Sequence, residues 1–170
     1  LMNTADEQAR ALRARQAKEL ALANAASHYR ILLENVPDAL FVLDQDWNIT
    51  LVNAKAEKMF GHSRADLQDL PFLEMLMPAA AESSLRRIQD IARHPDSEGR
   101  SRSVECDAKH QREIAFPIEI SAVRSQTSQG PMTILSVREI SARKQAEQTM
   151  RKLSHAVEYS SAMTIITDRA

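Results

Sequence analysis

The residues in this sequence that are able to do chemistry are few and scattered. There is one cysteine, Cys106, and there are five histidines in 170 residues. A single thiol permits no internal disulfide and suits a reducing compartment. Cys106 falls in the alternating stretch Arg102–Ala108, where a small buried apolar residue fits better than a nucleophile. His62 stands in a turn with nothing beside it in sequence to pair with, so it reads as a solvated turn residue rather than a ligand. His155 has the type of a phosphoryl acceptor. Ala156-Val157-Glu158 follow it, however, instead of the mixed acidic and basic residues such a site carries. Three glycines make no phosphate-cradling loop. No acidic pair has a catalytic context, and no nucleophile stands in pattern with a base. The expectation is a chain that is not by itself an enzyme.

Composition narrows the class further. Hydrophobic residues make up 44% and charged residues 26%, with a net charge of −1. That is the balance of an ordinary globular domain, and it argues against a nucleic-acid footprint or a polybasic membrane anchor. No apolar run approaches the roughly 20 residues of a spanning helix, and no apolar signal region follows Leu1–Glu7. A cytoplasmic location is expected, with no nucleic-acid partner and no membrane segment in these residues; an attachment elsewhere in a longer protein stays open.

The elements that would position any site are legible from breakers and periodicity. Asp6 to Glu34 lacks Gly and Pro and is rich in helix formers. Leu22, Ala26, Tyr29, Leu33 and Val36 recur at steps of 4, 3, 4, 3, the heptad seam of a paired helix. After Pro37, Ala39–Leu43 and Asn48–Asn53 read as an antiparallel strand pair. Ala54–Phe60 is a short helix stopped by Gly61, and Ser63 caps the next with Asp66 in the reciprocal position. Ala79 to about Arg93 follows Pro78 as a longer helix with Leu85, Ile88 and Ile91 on its apolar face. A polar loop then runs to about Ser101. Arg102–Ala108, Glu113–Val123 and Met132–Val137 are three further strands, with a turn over Ser125–Pro131, and a helix begins at Ser141. Five antiparallel strands with helices over one face is an α+β arrangement.

The end of the chain restates its beginning. Glu34–Asp44 aligns with Glu158–Asp168 at an offset of 124 residues. The same offset carries Leu22, Ala26, Tyr29 and Leu33 onto Ala146, Met150, Leu153 and Val157. So long a period points to tandem domains. The organisation expected is a signalling helix over 1–34, one domain over 35–140, a linker helix over 141–158, and the start of a second copy over 159–170, whose lone strand would fray or pair with another chain.

Five segments in order resemble the PAS sensory domains of bacterial signalling proteins: Glu34–Asp44, Leu51-Val52-Asn53-Ala54, Met59–Leu67, Ala115–Ser121 and Val137–Glu147. The resemblance spans about Tyr29 to Arg143 and implies the PAS fold. The departures are a first hairpin without its glycine, with Trp47 nearby, His110-Gln111 where Asp-Gly is usual, and Glu139 and Ser141 in place of Asp and Thr.

The resemblance also frames the chemistry. Haem-binding relatives place a histidine about seven residues after the Leu-Met-Pro, where Leu85 stands here, so haem is not expected. Light-sensing relatives need a cysteine near Gln68–Phe72, where there is none. No cofactor is predicted, with a non-covalent flavin or a small metabolite left open. The candidate ligand cavity between sheet and helices is lined by Val42, Leu67, Phe72, Leu76, Leu85, Ile88, Ile118, Ile120 and Ile134, residues that equally well simply fill a core. The candidate relay is Glu139, Ile140, Ser141 and Arg143, where strand becomes helix, with Glu139 expected to pair with Arg143 or Arg138. The partners implied are a second copy of the chain, held through the two end helices, and an output domain in the same protein, of diguanylate cyclase, phosphodiesterase or histidine kinase type. A ligand-free dimerisation spacer and a flavin redox sensor are the alternatives.

Overall fold

Apolar residues that alternate along five strands need a second layer to cover them, and the computed structural model, which describes residues 4–94, 102–128 and 130–166, shows how they obtain it. The long helix α1 (Thr4–Asn35) leads into β1 (Ala39–Leu43) and β2 (Ile49–Val52). Two short helices, α2 (Ala54–Phe60) and α3 (Arg64–Leu67), a 3-10 turn (Phe72–Met75) and α4 (Ala81–Arg93) follow. Then come β3 (Ser103–Lys109), β4 (Ala115–Thr127), β5 (Gly130–Glu139) and α5 (Ser141–Ile166). The strands form one sheet in the order β2-β1-β5-β4-β3, every neighbouring pair antiparallel. β5 therefore lies at its centre, and it is the strand that feeds α5.

The local signals behave as their chemistry dictates. Asn53 caps α2, and Gly61, at φ 77°, ends it in the left-handed conformation. Ser63 and Asp66 form the reciprocal capping box of α3. The buried face of α4 is Ala81, Ser84, Ile88, Ile91 and Ala92. The inner side of the sheet presents Ala39, Phe41, Leu43, Val104, Ala108, Ile118, Ile120, Leu135 and Val137 to the helices, all buried in one cluster with Phe60, Leu67, Phe72 and Leu76. Burying each such large side chain contributes about 1.5–3 kcal/mol.

Several boundaries differ from expectation. The β4–β5 hairpin is tighter, with Thr127 opposite Gly130, because alternation past Val123 is polar and invisible to a hydrophobic reading. The polar loop after His94 lies outside the described residues. α5 continues through Ile166, where Thr164-Ile165-Ile166 had suggested an extended run.

Candidate functional site

The expected lining residues fall into three groups. Leu67, Phe72, Leu76, Ile88, Ile118 and Ile120 come together between sheet and helices, each at most 2% exposed. Leu85 is half-buried and packs at the margin of this cluster. Val42 and Ile134 do not line it: they are cross-strand partners on the opposite, outer side of the sheet, with Leu51 beside Val42. The error has a physical source. Ala39–Leu43 is apolar without interruption, so its sequence does not say which alternate residues point inward. Phe41 is the inward one. It meets Phe60 edge-on at 5.2 Å between ring centroids and Phe72 at 5.3 Å, and Phe60 meets Phe116 at 5.4 Å. Four aromatic rings thus meet edge-on beside the buried lining residues.

The histidine and cysteine positions are ordinary. His62 is half-buried in the turn between α2 and α3, and His155 lies on α5. Cys106 is half-buried at the margin of the core, and burial pushes its thiol up to about 11, far from thiolate nucleophile behaviour. No cluster of metal-ligating side chains occurs among the described residues. No helix among them is long and apolar enough to cross a membrane.

Polar chemistry concentrates instead where α1 and α5 meet the sheet. Asn53 is fully buried and uses its whole hydrogen-bonding capacity. Its Oδ1 accepts from the N–H groups of Leu40 and Ala56, both at 3.0 Å. Its Nδ2 donates to the carbonyls of Leu33, at 3.1 Å, and Asp38, at 3.0 Å. Beside it, Glu34 accepts from the Ala54 N–H and from Arg64 Nη2, each at 2.7 Å. The Ala54 amide and the Arg64 guanidinium hold its carboxyl below its ordinary value. Asp38 accepts from Arg138 Nε and Nη2, both at 3.0 Å, and from Ser136 Oγ at 2.9 Å. Its carboxyl is likewise held low, chiefly by the Arg138 hydrogen bonds.

The four relay residues do meet at one junction, but not in the expected pairs. Glu139 accepts from Ser141 Oγ at 2.8 Å, while Arg138 turns to Asp38. Adjacent strand residues point to opposite faces, so Arg138 and Glu139 have no way to pair. Ile140 is buried, its N–H donating to the Pro117 carbonyl at 3.0 Å and its carbonyl accepting the Lys144 N–H at 3.0 Å. Arg143 reaches back to the sheet, donating to Glu105 and, at 3.4 Å, to Glu119. Lys144 lies 3.5 Å from the other oxygen of Glu105. Glu34, Asp38, Asn53, Arg64 and Glu119 lie within the segments that carry the family resemblance and Glu105 lies outside them, but none was assigned these contacts, because a lone polar residue in sequence carries no signal of its partner.

A central antiparallel sheet of this order, covered on one side by short helices and continued by a helix from its middle strand, defines the class of the module as α+β. The family model for the PAS fold matches residues 27–140, and the chain belongs to the PAS family. Among solved structures, the PAS domain of an HTR-like protein from Haloarcula marismortui is similar with a TM-score of 0.60 at 21% identity, over 74% of this chain and 99% of that one. The PAS domain of a two-component sensor histidine kinase gives 0.55 at 20%, over 72% and 98%. A LOV protein of Rhodobacter sphaeroides gives 0.55 at 14%, over 66% and 64%. No curated protein matches the chain. Family membership places it among sensory and regulatory modules.

Proposed function

We propose that this chain is a regulatory relay, which passes a change of state through paired α1 and α5 helices to an output domain of the same protein and catalyses nothing itself. One observation carries the reading. The central strand β5 becomes α5 across a single residue, Ile140, and that residue is 2% exposed. No loop lies between them to absorb a shift of the strand, so the helix must follow it.

The apolar seams support a homodimer. Leu22, Tyr29, Met150, Leu153 and Val157 are all more than half exposed, at heptad steps along the two long end helices. Packing of Phe41, Phe60 and Phe72 in the interior supports a resting state without haem or flavin. A cyclic-di-GMP enzyme or a histidine kinase fits as the output domain.

Sedimentation velocity tests the pairing. The wild-type chain should sediment as a dimer, and the double variant Leu22→Glu/Leu153→Glu as a folded monomer with unchanged circular dichroism. A monomeric wild type overturns the dimeric relay. In the full-length protein, Ser141→Ala should alter output; unchanged output refutes the junction's role.

A further inference from the structure

α1 touches the module only at its end. Residues 10–32 are exposed throughout, and burial begins at Leu33 and Glu34. The helix is fastened there by Asn53 at the Leu33 carbonyl and by Ala54 and Arg64 at the Glu34 carboxylate. The amide that holds Leu33 also holds the Asp38 carbonyl, so α1 and the first residues of the sheet share one anchor. From Asp38 a row of charged residues crosses the outer face of the sheet: a carboxylate, a guanidinium, then two adjacent carboxylates that α5 neutralises. Arg138 on β5 binds Asp38 in a two-pronged pair. Glu119 on β4 stands directly opposite Arg138 in the register and accepts from Arg143 of α5 and from Ser103. Glu105 on β3 stands opposite Glu119, and Arg143 and Lys144 neutralise the pair of carboxylates. The row starts at the foot of one helix and ends at the foot of the other, and it lies on the side of the sheet away from the aromatic core.

We propose that this outer-face row couples the two helices directly: the seating of α1 at Asn53 and Glu34 sets the seating of α5 at Glu105 and Glu119, with Arg138 as the link and the filled core as a spectator. The inference rests on the relay reading and names its route. Coupling of this kind is reciprocal, and a contiguous path of contacts becomes a coupling path only when both ends are shown to bias one another.

Hydrogen exchange on the 170-residue chain reads both ends. Glu34→Gln loosens the α1 anchor and should raise exchange about fivefold at amides 141–146, the weak end of typical coupling between sites. Arg143→Gln should do the same at amides 31–36. In an Arg138→Met background both remote responses should vanish while the local ones remain. Asp38→Asn, nearly isosteric, serves the same purpose should Arg138→Met fail to fold. About 1 M salt, which shortens screening to roughly 3 Å, should also suppress the remote responses but leave protection at the buried Asn53 contacts. Remote responses that are absent in the wild-type background, or that persist without Arg138 and Asp38, overturn the proposal. If exchange is coupled but the output of the full-length protein ignores Arg143→Gln, the route stands and the relay reading falls. If output responds without coupled exchange, the relay stands and the route falls.

Discussion

Replacing Asn53 by alanine should cost the domain about 3 kcal/mol, more than its small size suggests. Four hydrogen bonds disappear at once, in a site with no access to water. Loss of the α2 cap accounts for about 1 kcal/mol. The Leu40 N–H, buried and left without this acceptor, adds about 1–3 kcal/mol, and the Leu33 and Asp38 carbonyls each lose a donor for about 0.5–1 kcal/mol more. Terms sharing one side chain do not add fully, which brings the total to about 3 kcal/mol, or about 10 °C in Tm. Thermal and urea unfolding, followed by circular dichroism and by the fluorescence of the single tryptophan, Trp47, measure it. Asn53→Asp is the informative companion. It keeps both acceptor roles but sets a carboxylate oxygen against the Leu33 and Asp38 carbonyls, so at neutral pH it should fare no better than alanine and should partly recover in acid. An Asn53→Ala loss under about 0.5 kcal/mol, or an Asp variant as stable as wild type, would show that the amide is not the anchor of α1 and the sheet.

Three further outcomes are expected. Glu113 holds φ 61° in an exposed hairpin, so Glu113→Gly should raise stability by about 0.5–1 kcal/mol as strain is relieved. Trp47, at φ 69° but packed against the core, should instead lose about 1 kcal/mol on Trp47→Gly, because lost contact outweighs the relief; both are read by urea unfolding. With its thiol near 11 rather than 9.0, native Cys106 should hold about a hundredfold less thiolate than a free cysteine and react correspondingly slowly with an aromatic disulfide reagent until the protein is unfolded. Asp38 and Glu34 are both depressed from ordinary values of 3.8 and 4.5. Their contribution is therefore complete above those values and lost as pH falls through the depressed ones. An acid unfolding series should show this limb, and Asp38→Asn should flatten it.

Much of the fold was legible in the sequence because its punctuation is local. Gly61, and Ser63 with Asp66, each act on the few residues beside them and marked their elements correctly, whereas Pro78 lies in a turn and α4 begins at Ala81, two residues later than expected. The facing of β1 was not legible, since a run of five apolar residues has no alternation to orient it, and Val42 was set inside in place of Phe41. The junction residues were found, but their partners were not. Arg143 bonds to carboxylates 24 and 38 positions away, and Arg138 to one 100 positions away. Such pairs are created by the sheet order, which places β5 between β1 and β4, and nothing near either residue encodes it. Asn53 lay between these cases: its cap on α2 is local, whereas its hold on Leu33, 20 positions back, is not.

The two faces of the sheet differ in what it takes to rearrange them. On the inner face a change of state must separate Phe41 from Phe60 and Phe72, or Phe60 from Phe116, and each exposed ring forfeits about 1.5–3 kcal/mol. On the outer face the pairs are partly solvated, with Arg138 and Arg143 side chains 63% and 42% exposed, and such pairs are each worth about 0–1 kcal/mol. A switch needs two states within a few kcal/mol of each other. A handful of outer-face pairs provides a gap of that size, whereas opening the aromatic cluster overshoots it. In the relay proposed above, the buried anchors Asn53 and Ile140 would keep the helices attached while the charged row between them changes partners. That division explains why so polar a band crosses the sheet face that the short helices leave uncovered.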